Sequence, residues 1–295
     1  MLLSVCYAEP QNCPFVWKVE KNGEPTSYLI GTIHVNKKGY QLPSCMKKVV
    51  ENSKVLMTEN LFPLHPSEAM QADVILLSQS VFSLSNANQL KDDIGSELHG
   101  QLRQLFADAN SNDALLMYDR LYGWSAMMFL MGLPANSDVG VESGVDLLLS
   151  QLADKNGLQR VGLESVLVGA DAIKNVPKDK IIQFINIGIE HQDYSRVMER
   201  KLIDLYNSGK VYSLKELALS EEENLKFIPD ADKPFWRNWY FNTLLDKRTA
   251  SWVTKISNQI SKSPTVIAVG TAHMYGNNGL VSILRQKGYT VTELR

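Results

Sequence analysis

The stretch Thr265-Val266-Ile267-Ala268-Val269-Gly270-Thr271-Ala272-His273 decides the fold. Its first five residues are a short, rather apolar run rich in β-branched side chains, the mark of a strand buried on both faces in an α/β sheet. A near-copy stands at the other end of the chain: residues 27–35 read Ser-Tyr-Leu-Ile-Gly-Thr-Ile-His-Val. Each strand closes on Gly-Thr-x-His, so His34 and His273 each fall just past a strand, where α/β sheets present their ligand-binding residues. Glycine at a strand end lets a backbone or ligand come close. One Gly-x-x-His is common by chance; two copies, each behind an apolar strand at opposite ends of a chain, are not.

Working outward, Val16–Glu20 alternates apolar and polar residues, and Lys21-Asn22-Gly23 is a turn signal, which predicts a β-hairpin with residues 27–35. Pro43-Ser44 opens a helix with Met46, Val49, Val50 and Ser53 on one face. Residues 54–59 (Lys-Val-Leu-Met-Thr-Glu) read as a short buried strand, placed beside the strand of residues 27–35. Near the end, residues 279–287 form an amphipathic helix stopped by Gly288, and residues 289–294 alternate as a strand. Between these lie helical patterns at 66–83, 96–109, 112–133, 144–156, 177–207, 213–223 and 232–261, with one short strand at 160–163. The fold class is therefore α/β (α+β), with a mixed central β-sheet built from both chain ends and a large helical cap inserted between them. Residues 11–64 and 264–295 are the sheet core, and 65–263 the mainly helical cap region. Residues 1–10 read either as the remnant of a secretory signal or as an ordinary apolar strand.

Composition narrows the function. The chain has 295 residues, 44% apolar and 21% charged, with Lys+Arg 30 against Asp+Glu 32. That excludes disorder as the default and argues against a general nucleic-acid binder. The longest strongly apolar stretch, 121–133, is too short to span a bilayer. Three cysteines do not make a disulfide scaffold. Cys13 and Cys45 can bridge in an oxidising compartment or remain free thiols.

Glu59 ends the strand of residues 54–59 and is the third chemical group. Two imidazoles and a carboxylate can bind Zn²⁺, Mn²⁺ or Fe²⁺ and leave positions open for water, which the metal acidifies into a nucleophile. Without metal, the same trio can act as an acid–base pair on water. The bland alternative is two satisfied core histidines and a surface glutamate. Asp146 and Glu164 can orient an imidazole, though a helix cap and a strand-end charge are the favoured reading. His65 reads as a loop histidine, and His99 and His191 as surface residues. Met127, Met128, Phe129 and Met131, and the aromatics Phe235, Trp236, Trp239, Tyr240 and Phe241, can line a groove but are more often core. A P-loop, a Gly-x-Ser-x-Gly elbow and a His-Glu-x-x-His helix are all missing from the sequence.

The chain resembles the TraB/GumN superfamily, which includes PrgY-type pheromone-shutdown proteins and the Tiki metalloproteases. The matching pieces are Trp17-Lys18-Val19, residues 28–35, Leu42-Pro43, residues 53–59, Gly144-Val145-Asp146, Gly162-Leu163-Glu164, Arg248 and residues 266–289, in the family's order. The resemblance implies an α/β core of the type shared with erythromycin-esterase-like and ChaN-like proteins, and, from the Tiki proteins, metal-dependent proteolysis. It implies that His34, Glu59 and His273 occupy the active-site positions, holding a divalent metal. Arg248 would then stabilise an oxyanion or pair with Glu59, the alternative being a surface salt bridge. Two departures stand out: Thr249 replaces the family's common Asn, and Ser165 follows Glu164 with no Gln before Ala172.

The expected function is thus a metal-dependent, peptidase-like hydrolase, periplasmic or secreted, taking a peptide or small-molecule substrate. The alternative is a non-catalytic protein of the cell envelope that sequesters a peptide signal or haem. A structural partner in envelope or conjugation machinery ranks last.

Overall fold

The computed structural model describes residues 13–61, 64, 68–109 and 115–294; the segment read as a signal remnant and His65 lie outside them. Eight strands form two sheets: β1 (Val16–Glu20), β2 (Ser27–Thr32), β3 (Asn36–Lys37), β4 (Val55–Thr58), β5 (Val139–Gly140), β6 (Gln159–Gly162), β7 (Thr265–Gly270) and β8 (Thr290–Glu293). The main sheet has the order β6-β4-β7-β2-β1-β8, and β3 pairs with β5 in a second, two-stranded sheet. Strands β6, β4, β7 and β2 run parallel, while β1 is antiparallel to both β2 and β8.

The hairpin follows its signals: Val16 faces Ile30 and Val19 faces Ser27, around a turn in which Gly23 takes φ 79°, a conformation that suits glycine. The chain ends meet as expected, β1 on β8 and β2 on β7. One placement is corrected: β4 does not lie beside β2. Strand β7 sits between them, because its Val266, Ile267, Ala268 and Val269 are all fully buried and need cover on both faces and both edges.

Helices Ser44–Glu51, Val145–Lys155, Lys247–Ile260 and Leu280–Gln286 supply apolar residues to the core around this sheet. A second apolar cluster lies in the helical section, where Leu102, Phe106, Tyr118, Met127 and Ile185 are sealed. Trp236 and Trp239 belong to it, donating their indole N–H groups to Gln183 Oε1 (2.7 Å) and Ala172 O (2.9 Å). They are core rather than groove.

Four expected helices are interrupted, that at 213–223 after Ala218, before Glu221–Asn224 begins. The pattern at 112–133 breaks around Tyr118–Arg120, and Gly123–Met131 begins afresh where Asp93 accepts the Gly123 N–H at 2.8 Å. The pattern at 177–207 divides at His191, which stacks on Phe227 with ring centroids 3.6 Å apart. The last runs from Lys233–Arg237 through a π-helical segment, Asn238–Asp246, into Lys247–Ile260. No described helix is long and apolar enough to cross a membrane.

Cys13 and Cys45 form a disulfide, Cα atoms 5.8 Å apart, tying the entry of β1 to the helix that follows β3. It closes a loop across a sequence separation of 32, which in the chain-entropy account is worth about 3–4 kcal/mol. Replacing both cysteines by serine is expected to lower the urea midpoint by a corresponding amount; an unchanged midpoint would contradict this.

Candidate active site

The strand order aligns three strand ends. Thr32 pairs with Gly270 across β2 and β7, and Thr58 with Ala268 across β4 and β7. Glu59, Gly270 to His273 and Thr32 to His34 therefore leave the same edge of the sheet side by side. Their backbones interlock: Thr271 donates its hydroxyl to Thr32 O at 2.8 Å, and Tyr206 donates to Gly31 O at 2.7 Å. A Cβ placed on Gly270 would lie 3.1 Å from Glu59 Oε1, 3.6 Å from His34 Nε2 and 3.7 Å from His273 Cδ2. The three side chains singled out in the sequence thus surround one point.

His273 sits in the turn Thr271–Met274 directly after β7 and is buried. The Thr249 hydroxyl donates to Leu245 O at 2.7 Å, one helical turn back. Its oxygen therefore accepts from His273 Nδ1–H, also at 2.7 Å, which leaves the Nε2 lone pair for the centre. Burial is the largest influence on this imidazole and pushes its pKa down to about 4, despite the nearby Glu59 carboxylate, so the ring is neutral.

His34 is held differently. Its side chain is 65% exposed, but Nδ1 hydrogen-bonds Asp146 Oδ2 at 2.9 Å. Asp146 is buried in the first turn of helix Val145–Lys155, where the helix dipole favours its charge, and its other oxygen accepts from the Thr32 hydroxyl. The attraction of Asp146 carries the His34 pKa up to about 9. Gly144 makes this approach physically available. Its backbone is ordinarily extended (φ −62°, ψ 140°), but a Cβ would overlap the His34 carbonyl oxygen and come within 2.8 Å of its carbon. The neighbouring Val145 N–H donates to Ile33 O at 2.9 Å.

Glu59 and Arg248 form the third part. Glu59 Oε1 accepts the Gly270 N–H at 2.7 Å, and Oε2 accepts from Arg248 Nη2 at 2.7 Å. The same guanidinium reaches Glu164 Oε1 through Nη2 (2.6 Å) and Nε (2.9 Å), while Glu164 Oε2 accepts the Trp252 indole N–H at 2.8 Å. Burial alone would raise the Glu59 pKa; His273, His34, Arg248 and the Gly270 N–H overcome it and hold the carboxyl at about 2. Arg248 is not a surface ion pair, since it and both carboxylates are at most 15% exposed. Asp146 and Glu164 are likewise more than a cap and a strand-end charge: the first grips His34, the second Arg248.

Glu59 Oε1 and His273 Nε2 face each other at 3.8 Å. Both are electron-pair donors, and two imidazole nitrogens with a carboxylate oxygen are suitable ligands for Zn²⁺, Mn²⁺ or Fe²⁺. The donor types fit; the assembled geometry is looser, since among the described residues no group of three or more His, Cys, Asp or Glu side chains is arranged to hold a metal ion.

His99, bonded to Asp119 at 2.8 Å, and His191, on Phe227, have their partners elsewhere. The sequence marks Thr249 only as a departure from the family's common Asn; its hold on His273, and the parts of Thr32 and Trp252, emerge only from the fold.

The family model described as TraB/PrgY/gumN matches residues 15–293. No curated protein and no solved structure matches the chain.

Proposed function

The chain belongs to the TraB/PrgY/gumN family, and from that premise we propose that it is a metal-dependent hydrolase acting on peptides, with His34, Glu59 and His273 as its reacting centre. The observation that carries the reading is the convergence of these three side chains over Gly270. A divalent cation held by the three would lend Lewis acidity, polarising a carbonyl and lowering the pKa of water.

The chain's own groups do the rest. Asp146 fixes the orientation of the His34 ring through Nδ1, so that Nε2 is turned toward the centre as the nitrogen available to a cation. Thr249 keeps the His273 lone pair on Nε2, aimed at the centre. Arg248 and the Gly270 N–H keep Glu59 ionised and immobile, ready to accept a hydrogen from water and set its direction of attack. The disulfide, between a fully buried Cys13 and a partly buried Cys45, supports a location in an oxidising compartment, periplasmic or extracellular.

The test combines metal analysis of the purified protein with a peptide-library digest of His34→Ala and His273→Ala. Both variants should still unfold cooperatively, His273→Ala at a lower temperature, and should lose bound metal and fall by at least about 100-fold in kcat/KM. A metal-free wild type, together with variants that hydrolyse every substrate as well as it does, would overturn the proposal. Peptide protection without cleavage, or a Soret band on adding haem, would favour the sequestering alternative instead.

A further inference from the structure

A concavity of about 330 Å³ opens beside the centre, with His273 and Thr249 in its wall. This is the small end of the range for ligand sites, room for one side chain rather than a large cofactor. Two stretches close together in space build most of it: the π-helical segment Asn238–Asp246, of a kind often found at functional positions, and the turn after His273. Phe241, Leu245 and Tyr275 give it apolar sides. Asp246 and Glu221 give it two carboxylates, and neither lysine nor arginine is in its lining.

The two acids are not equivalent. Glu221 is neutralised by Arg237, whose Nε donates to it at 2.6 Å. Asp246 Oδ2 accepts only the neutral Asn278 amide, at 2.7 Å, and Asp246 has no cationic partner among the described residues. Apolar walls beside a carboxylate without a cationic partner match a long aliphatic stem with a cationic head, and the Phe241 ring favours a cation as well, the Tyr275 ring already lying under Lys215 Nζ at 5.8 Å.

We infer that this concavity binds the side chain of an arginine or lysine adjacent to the scissile bond of a peptide substrate. The inference rests on the peptide-hydrolase reading and deepens it by naming the residue type selected. Because His273 forms part of the wall, a side chain seated there brings its own backbone to the reacting centre.

Binding rather than turnover is the decisive measurement, so the result does not depend on catalysis. Nα-acetyl-arginine amide and its neutral isostere, Nα-acetyl-citrulline amide, are titrated by calorimetry into the full-length wild type and Asp246→Asn. Asparagine keeps an acceptor for Asn278 while removing the charge. The wild type should bind the arginine probe about five- to tenfold tighter than the citrulline probe. Asp246→Asn should erase the difference, and Glu221→Gln should keep most of it. Equal binding of the two probes, a preference that survives Asp246→Asn, or no binding of either at millimolar concentration would overturn the inference. Failure of the histidine variants to change metal content or hydrolysis would count against the hydrolase reading while leaving an arginine preference in place, so the two failures are distinguishable.

Discussion

Arg248→Met is expected to destabilise the protein by about 3–5 kcal/mol, the cost of removing one partner from a buried charge cluster. The guanidinium is 15% exposed, and it bridges Glu59 and Glu164, which are 11% and 5% exposed. Methionine preserves most of the stem's volume against Trp252, so packing loss is a minor part of the effect. What remains is two buried carboxylates without the guanidinium, and Glu59 would be held by the Gly270 N–H without its bond to Arg248. The double variant Arg248→Met/Glu164→Gln removes one of the orphaned charges and should recover about 1–3 kcal/mol of the loss, a coupling read from a double-mutant cycle of urea unfolding. Independent, additive effects would mean that the cluster does not act as a unit. Activity should stay low in both, since neither restores the hydrogen bond to Glu59 Oε2.

Gly144→Ala is expected to abolish most of the activity while leaving the protein folded. The new Cβ meets backbone atoms of His34, not a flexible side-chain tip, so rotation cannot relieve it. The segment after β2 must move, and with it the Val145 N–H bond to Ile33 O and the grip of Asp146 on the His34 ring. Overpacking of this kind costs about 1–3 kcal/mol. A displacement near 1 Å at a reacting group can cost about 100-fold in rate. Melting temperature and kcat measured side by side should therefore show a folded but nearly inactive protein. A variant as active as wild type would show that His34 does not need the position that Asp146 imposes.

These examples mark what could be read from the chain before folding. The two Gly-Thr-x-His copies were legible because strand pattern and chemistry coincide within a few residues, and Glu59 because it ends a short apolar run. Thr249 was not, because a threonine beside an arginine carries no periodic signal and gains its role only when His273 arrives from 24 residues further on. Asp146 presented itself as a helix cap, since its position in the first turn is all that local sequence records; Thr32 and His34 reach it from more than a hundred residues away. The same non-locality hid the neighbour order of the parallel strands. Nothing in residues 54–59 indicates that β7 will separate them from β2. The helix interruptions at Tyr118–Arg120 and His191 arise from Asp93 and Phe227, contacts that an apolar period cannot foresee.

The central place of β7 has a consequence for biosynthesis. Until about residue 270 has left the ribosome, β2 and β4 each keep an open parallel edge, and the two halves of the sheet have no bridge between them. The nascent chain must carry those edges, and a helical section whose neighbouring sheet is unfinished, through most of translation. Non-local pairing of this kind folds slowly and exposes sticky surface meanwhile. Premature termination anywhere before β7 would therefore leave two fragments of sheet rather than a shortened fold, a natural target for chaperones and quality-control proteases.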